Sequence, residues 1–216
     1  MKFVGDGMVV GLGTGSTADL FLQALGAALK GGRVRNVRGV PTSRQSERRA
    51  QHLGIPLTTL SECPRPDVTI DGADEVAPNL DLIKGLGGAL LREKMVAQDS
   101  KKLVIIADAG KAVTKLGTKA MLPVEVVQFA HEAQETFLRS LGATPALRRT
   151  ADAVFVTDNG NYIYDCRFPE GIDNPGALDL ALRRRAGVVE TGLFVGMAHV
   201  ALVAGEGIVE ERVRRS

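Results

Sequence analysis

Apolar positions in the first half of the chain alternate between two spacings. Met8–Leu12 is a continuous apolar run ending in glycines, which predicts a buried strand. From Ser16 to Leu29, the residues Leu20, Phe21, Ala24, Ala27 and Ala28 recur at helical spacing. Val34–Val40 is the next strand, closed by Pro41. Ser43 to Leu53 reads as a helix, capped by Ser43 and ended by Gly54 and Pro56. Val68–Ile70 is a short strand running into Asp71-Gly72-Ala73-Asp74. Ala89–Ala97 is helical, and Leu103–Ala107 is another apolar strand. Strands alternating with helices predict an α/β unit, a parallel sheet with helices on both faces.

The second half changes character. Val124–Phe129 predicts a strand and His131–Leu141 a helix. Val154–Val156 and Tyr162–Cys166 flank Thr157-Asp158-Asn159-Gly160-Asn161, which predicts a hairpin. Asn174-Pro175 opens a helix that Gly187 closes. Val188–Leu193 is one further strand. This is a smaller α+β unit with antiparallel pairing, after which Val200–Ala204 returns to the buried-strand pattern of the first sheet. The expected division is 1–117 with 198–216 for the parallel unit, and 118–197 for the smaller one.

Composition narrows the function classes. At 216 residues the chain is long enough to bury a core without staples. Its 27 Lys and Arg against 25 Asp and Glu give a net charge of +2, which does not suggest a nucleic-acid binder. Cys63 and Cys166 form no Cys-x-x-Cys motif, which suits a reduced, cytoplasmic setting. His52, His131 and His199 are scattered, without the spacing of a zinc site. Leu193–Ala204 is too short to span a membrane, and Met1–Gly7 lacks the apolar run of a signal peptide.

Four segments carry chemistry. Gly11-Leu12-Gly13-Thr14-Gly15-Ser16-Thr17 follows a strand and opens a helix, so its amides and hydroxyls suit a phosphate. It lacks the lysine of a phosphate-loop NTPase. It also has Ser16 where a dinucleotide fingerprint wants Gly or Ala, and no acidic residue closes the second strand. A plain tight turn is the alternative. Asp71-Gly72-Ala73-Asp74-Glu75 puts two carboxylates at a strand end, suited to sugar hydroxyls, or else makes an Asp-rich turn. In Lys84-Gly85-Leu86-Gly87-Gly88, the lysine and loop amides could stabilise an oxyanion, and Glu93 on the following helix could act as a general base. The alternative for Arg92-Glu93-Lys94 is a solvated helix face. Lys111, after the strand ending near Ala107, suits a phosphate or sugar oxygen, or is an ordinary loop lysine.

Taken with Leu122-Pro123-Val124-Glu125-Val126, these segments resemble ribose-5-phosphate isomerase of the type A family, in order and over nearly the whole chain. The resemblance implies a Rossmann-like domain with a smaller α+β, ferredoxin-like domain. It also implies interconversion of ribose 5-phosphate and ribulose 5-phosphate, with no metal or organic cofactor, by a cytoplasmic homodimer or homotetramer. The partner is then a small sugar phosphate, without nucleic acid or membrane. By the same likeness Thr14, Gly15, Ser16, Thr17, Gly72, Ala73, Gly85, Leu86, Gly87 and Lys111 bind substrate. Glu93 is the proton acceptor, Asp71 serves the ring oxygen, Asp74 orients hydroxyls and Lys84 meets the developing charge. Two departures stand out. Leu86 replaces a third consecutive glycine. Met1–Gly7 also stands where family members usually carry a helix that brings a lysine near the phosphate.

Overall fold

The computed structural model describes residues 1–214. In chain order it forms β1 (Val9–Leu12), α1 (Ser16–Lys30), β2 (Arg38–Pro41), α2 (Arg44–His52), β3 (Val68–Asp71), β4 (Glu75–Val76), β5 (Leu82–Ile83) and α3 (Leu90–Asp99). There follow β6 (Leu103–Asp108), a 3-10 turn (Ala109–Lys111), β7 (Leu122–Val126), α4 (Glu132–Ser140) and β8 (Thr144–Leu147). The chain continues through β9 (Tyr162–Arg167), α5 (Pro175–Arg183), β10 (Val188–Thr191), β11 (Leu193–Phe194), β12 (Val200–Gly205) and β13 (Ile208–Val213).

One compact unit contains Met1–Gly72, Arg92–Ala109 and the chain from Met197. Its sheet runs β2-β1-β3-β6-β12-β13; the first five strands are parallel and β13 is an antiparallel edge. Side chains alternate across a strand. Val10 and Leu12 of β1 pack with Phe21, Leu22 and Leu25 of α1 and with Ala50 of α2. Gly11 points the other way, where an added Cβ would stand 2.8 Å from Val96 of α3 and 1.9 Å from the Thr69 hydroxyl. Helices therefore cover both faces, and α3 approaches so closely that β1 needs a glycine there. Ser43 begins α2 with a reciprocal cap: its Oγ accepts from the Ser46 amide, and Ser46 Oγ accepts from the Ser43 amide.

The other unit contains Ala73–Leu91 and Gly110–Gly196. From β7 to β10 the chain runs βαββαβ into an antiparallel sheet ordered β10-β7-β9-β8, the ferredoxin-like arrangement. Its core gathers Leu122, Val124 and Val126 with Leu138, Tyr164 and Leu182. A second small sheet, β11-β5-β4, lies in the same unit. Segments 73–91 and 110–117, which the sequence pattern groups with the parallel sheet, fall here for an identifiable reason. β5 pairs with β11, and the fully buried Glu75 carboxylate accepts hydrogen bonds from the amides of Gly117, Lys119 and Ala120.

Four local expectations change. The strand expected over Val34–Val40 forms only from Arg38, after Asn36 at φ 58°, and includes Pro41. The flanks of the 157–161 turn do not pair with each other. β9 lies between β7 and β8, and Val154 makes only one bridge, to Arg149. The turn is instead fastened to β7, because the buried Glu125 carboxylate accepts from Thr157 Oγ1 and Asn161 Nδ2, each at 2.9 Å. The strand expected to reach Phe129 stops at Val126, and Phe129 is exposed. The single strand expected over Val188–Leu193 is two strands in two sheets. They divide at Gly192, whose amide donates to Pro123 and whose carbonyl accepts from Lys84.

Candidate active site

In the first unit the strand order reverses between β1 and β3, and ligands of open α/β sheets collect at the carboxyl ends of strands around such a reversal. Gly13–Thr17 and Asp71–Gly72 emerge there. Asp71 is fully buried, and its Oδ1 accepts from the amides of Thr14 (3.1 Å) and Gly72 (2.7 Å). A Cβ on Gly13 would lie 2.2 Å from that same oxygen, so the approach of loop to carboxylate demands glycine. The Thr14 hydroxyl bonds Ser43 Oγ and lies 2.8 Å from Thr42 Oγ1, which ties the loop to the start of α2. Gly15, at φ 109°, caps α1 without a side-chain hydrogen bond. The exposed Ser16 and half-buried Thr17 open that helix, whose first amides and positive dipole end suit an anion. A cavity of about 300 Å³ beside the loop is also lined by Arg48, Arg49 and His52 of α2. The Arg49 guanidinium, and then Gln23, hold the Asp19 carboxyl below its ordinary value. Glu93 lies in the first turn of α3 and is 3% exposed; Lys94 is buried as well, so this triplet is not a solvated face.

In the second unit Asp74 and the glycine loop are joined. The Asp74 amide donates to Ile83, and its Oδ2 accepts from the Leu86 amide at 3.0 Å. Gly85 and Gly88 sit at φ 100° and 80°, in the region that favours glycine, and the Gly88 amide closes a turn onto Gly85 O. Lys84 is buried, with its Nζ 5.4 Å from the centroid of the Phe194 ring. Ala73 is partly buried at the start of this unit. Lys111 ends the 3-10 turn, and Lys119 Nζ donates to the carbonyls on either side of it, Gly110 and Ala112.

Thus Thr14, Gly15, Ser16 and Thr17 gather with Asp71 and Gly72, and Asp74 gathers with Lys84, Gly85, Leu86 and Gly87. Sequence reasoning missed Arg148, which donates from Nη1 to the carbonyls of both Gly85 and Leu86. No local signal marks it, because it stands beside Arg149 as one of an ordinary basic pair and its carboxylate partner, Asp165, lies on another strand. Among the described residues no group of three or more His, Cys, Asp or Glu could hold a metal ion, and no helix is long and apolar enough to cross a membrane.

Residues 38–207 match the family model of ribose 5-phosphate isomerase A (phosphoriboisomerase A). The chain is 52% identical to ribose-5-phosphate isomerase A of Gloeobacter violaceus, covering 97% of this chain and 90% of that protein. It is 50% identical to the protein of the same name from Roseiflexus sp. strain RS-1, over 97% of this chain and 91% of the relative. A solved D-ribose-5-phosphate isomerase in complex with phospho-erythronic acid superposes with a TM-score of 0.96 at 40% identity, covering 99% of this chain and 93% of that one. Sequence, fold and relatives agree that the chain belongs to the ribose 5-phosphate isomerase A family.

Proposed function

We propose that the chain interconverts D-ribose 5-phosphate and D-ribulose 5-phosphate through a cis-enediolate, a step of the non-oxidative pentose phosphate pathway. The observation that carries this reading is the glycine loop at the head of α1 bonded to buried Asp71 at the β1/β3 reversal, in a chain of this family. Phosphate is held by the amides and hydroxyls of Gly15, Ser16 and Thr17. Asp71 serves the ring oxygen as the sugar opens, and Asp74 orients hydroxyls. Glu93 takes the proton from C2 and returns it to C1. As that proton leaves C2, negative charge grows on the carbonyl oxygen and is met by Lys84 and the loop amides. Lys111 is a charged contact to substrate. The phospho-erythronic acid complex of the solved relative supports this reading, since a planar carboxylate resembles a planar enediolate. The working form is a cytoplasmic homodimer or homotetramer that needs no metal or organic cofactor.

The test follows ribulose 5-phosphate formation from ribose 5-phosphate by the purified protein in excess chelator. Sustained turnover, with solvent deuterium entering the sugar in heavy water, supports the reading. No turnover by folded protein overturns it, and activity restored only by a divalent ion overturns the metal-free mechanism.

A further inference from the structure

The glycine loop that begins at Lys84 is held from outside by a cation the sequence does not announce. Arg148 follows β8 and Asp165 lies in β9, and their side chains are only 11% and 14% exposed. They form a two-pronged ion pair, Nε to Oδ2 at 2.8 Å and Nη2 to Oδ1 at 2.5 Å. That pairing fixes the plane of the guanidinium and leaves Nη1 directed at the loop. Nη1 donates to Gly85 O and to Leu86 O, both at 3.1 Å. Phe155, whose amide donates to Arg148 O, lies under the guanidinium with its ring centroid 5.6 Å from Cζ. The same ring leaves no space beside Gly88, where an added Cβ would stand 2.4 Å from it.

Peptide planarity turns these two contacts into a statement about amides. Across a trans peptide the N–H points opposite to the C=O that precedes it. Pulling Gly85 O toward Arg148 therefore turns the Leu86 N–H away, and that amide is found on Asp74 Oδ2. Pulling Leu86 O the same way turns the Gly87 N–H away too. Gly87 is exposed, and among the described residues its amide has no acceptor. We infer that Arg148, held by Asp165, is a positioning residue that aims the Gly87 amide as a preorganised donor to the oxygen that gains charge during isomerisation. This rests on the reading of the Lys84–Gly87 loop as the oxyanion-stabilising element. It also accounts for tolerance of Leu86 in a glycine run: its backbone is what the site uses, and its side chain projects to solvent.

Donors aimed before reaction stabilise the transition state more than the ground state. Arg148→Met and Asp165→Asn should lower kcat about 10- to 100-fold, the loss of part of one oxyanion donor. KM for ribose 5-phosphate should stay within about threefold. The inhibition constant of phospho-erythronic acid should rise roughly in step with the fall in kcat. Arg148→Lys, which keeps the charge but not the fork, should fall between wild type and Arg148→Met. A merely structural pair would reduce the folded fraction and leave the inhibition constant unchanged. That outcome, or kcat within twofold of wild type, overturns the inference. If Arg148→Met does not fold, Arg148→Lys and Asp165→Asn decide on the same readouts. Lys84→Met, run in parallel, separates the two layers. A drop in kcat for Lys84→Met alone rejects the positioning role, whereas full turnover by Lys84→Met rejects the loop assignment itself.

Discussion

At the scale of single residues the sharpest expectation concerns Glu93. Its burial in the first turn of α3 suits a carboxylate that works on bound substrate, and Gln keeps its size and helix propensity. Glu93→Gln should fold with an unchanged thermal midpoint, still bind ribose 5-phosphate, and turn over about 10²- to 10⁴-fold more slowly, as measured by stopped-assay kinetics. On the proposed role of Lys111 as a substrate contact made equally to ground and transition states, Lys111→Ala should instead raise KM with kcat little changed. At Gly13 even a methyl group meets Asp71 Oδ1, so Gly13→Ala should cost about 1–3 kcal/mol of stability by urea unfolding, in the range for overpacked sites. Burial pushes the Cys166 thiol up to about 12, while Cys63 is only partly buried. An alkylating reagent at pH 8 should therefore label Cys63 alone until the protein is unfolded, as read by mass spectrometry.

At the scale of elements, what the sequence makes legible is whatever is written locally. β1, α1, α2, α3 and β6 are each a run with its own period, and Ser43 and Asn174 mark helix starts by their chemistry. Asn174 Oδ1 accepts from the Ala177 amide, so Asn174→Ala should lower stability by about 1 kcal/mol in denaturant titration. The site motifs were legible for the same reason: glycines, lysine and carboxylates sit side by side in Asp71–Asp74 and Lys84–Gly88. The unread elements lack a local period, and some depend on partners distant in sequence. β4 and β5 are two residues long; they pair with each other, and β5 pairs with β11. β8 contains Pro145 and little apolar pattern, yet pairs along all four residues with β9. β13 is an exposed, charged edge with no buried face to leave a period behind. Phe155 belongs to no strand and covers Gly88 and Arg148, and Arg148 stayed hidden because its meaning lies in Asp165 and the loop.

At the scale of the whole molecule, acid should loosen the parallel sheet at a definable place. Asp67 joins the Val9 amide at the start of β1 to Lys101, just before β6. Lys101, then the Val9 amide, hold its carboxyl below the ordinary value of 3.8. A carboxylate with a depressed folded-state value contributes stability above its unfolded value and loses it as the pH falls through the folded one. Stability should thus decline as pH falls below about 4, and Asp67→Asn should flatten part of that decline in pH-dependent urea titrations. The sheet carries another consequence, one that concerns its assembly on the ribosome. β6 pairs on one side with β3, which is synthesised before it, and on the other with β12, which comes only after residues 110–199. Throughout that interval a nascent chain displays Leu103–Asp108 with one flank of backbone donors and acceptors uncovered. An apolar strand edge of that kind recruits strands from neighbouring chains. Polysomes making this protein should hold half-made copies that need chaperone cover, and a chain stopped at Met197 should appear in the insoluble fraction while the chain carried through to Ser216 does not.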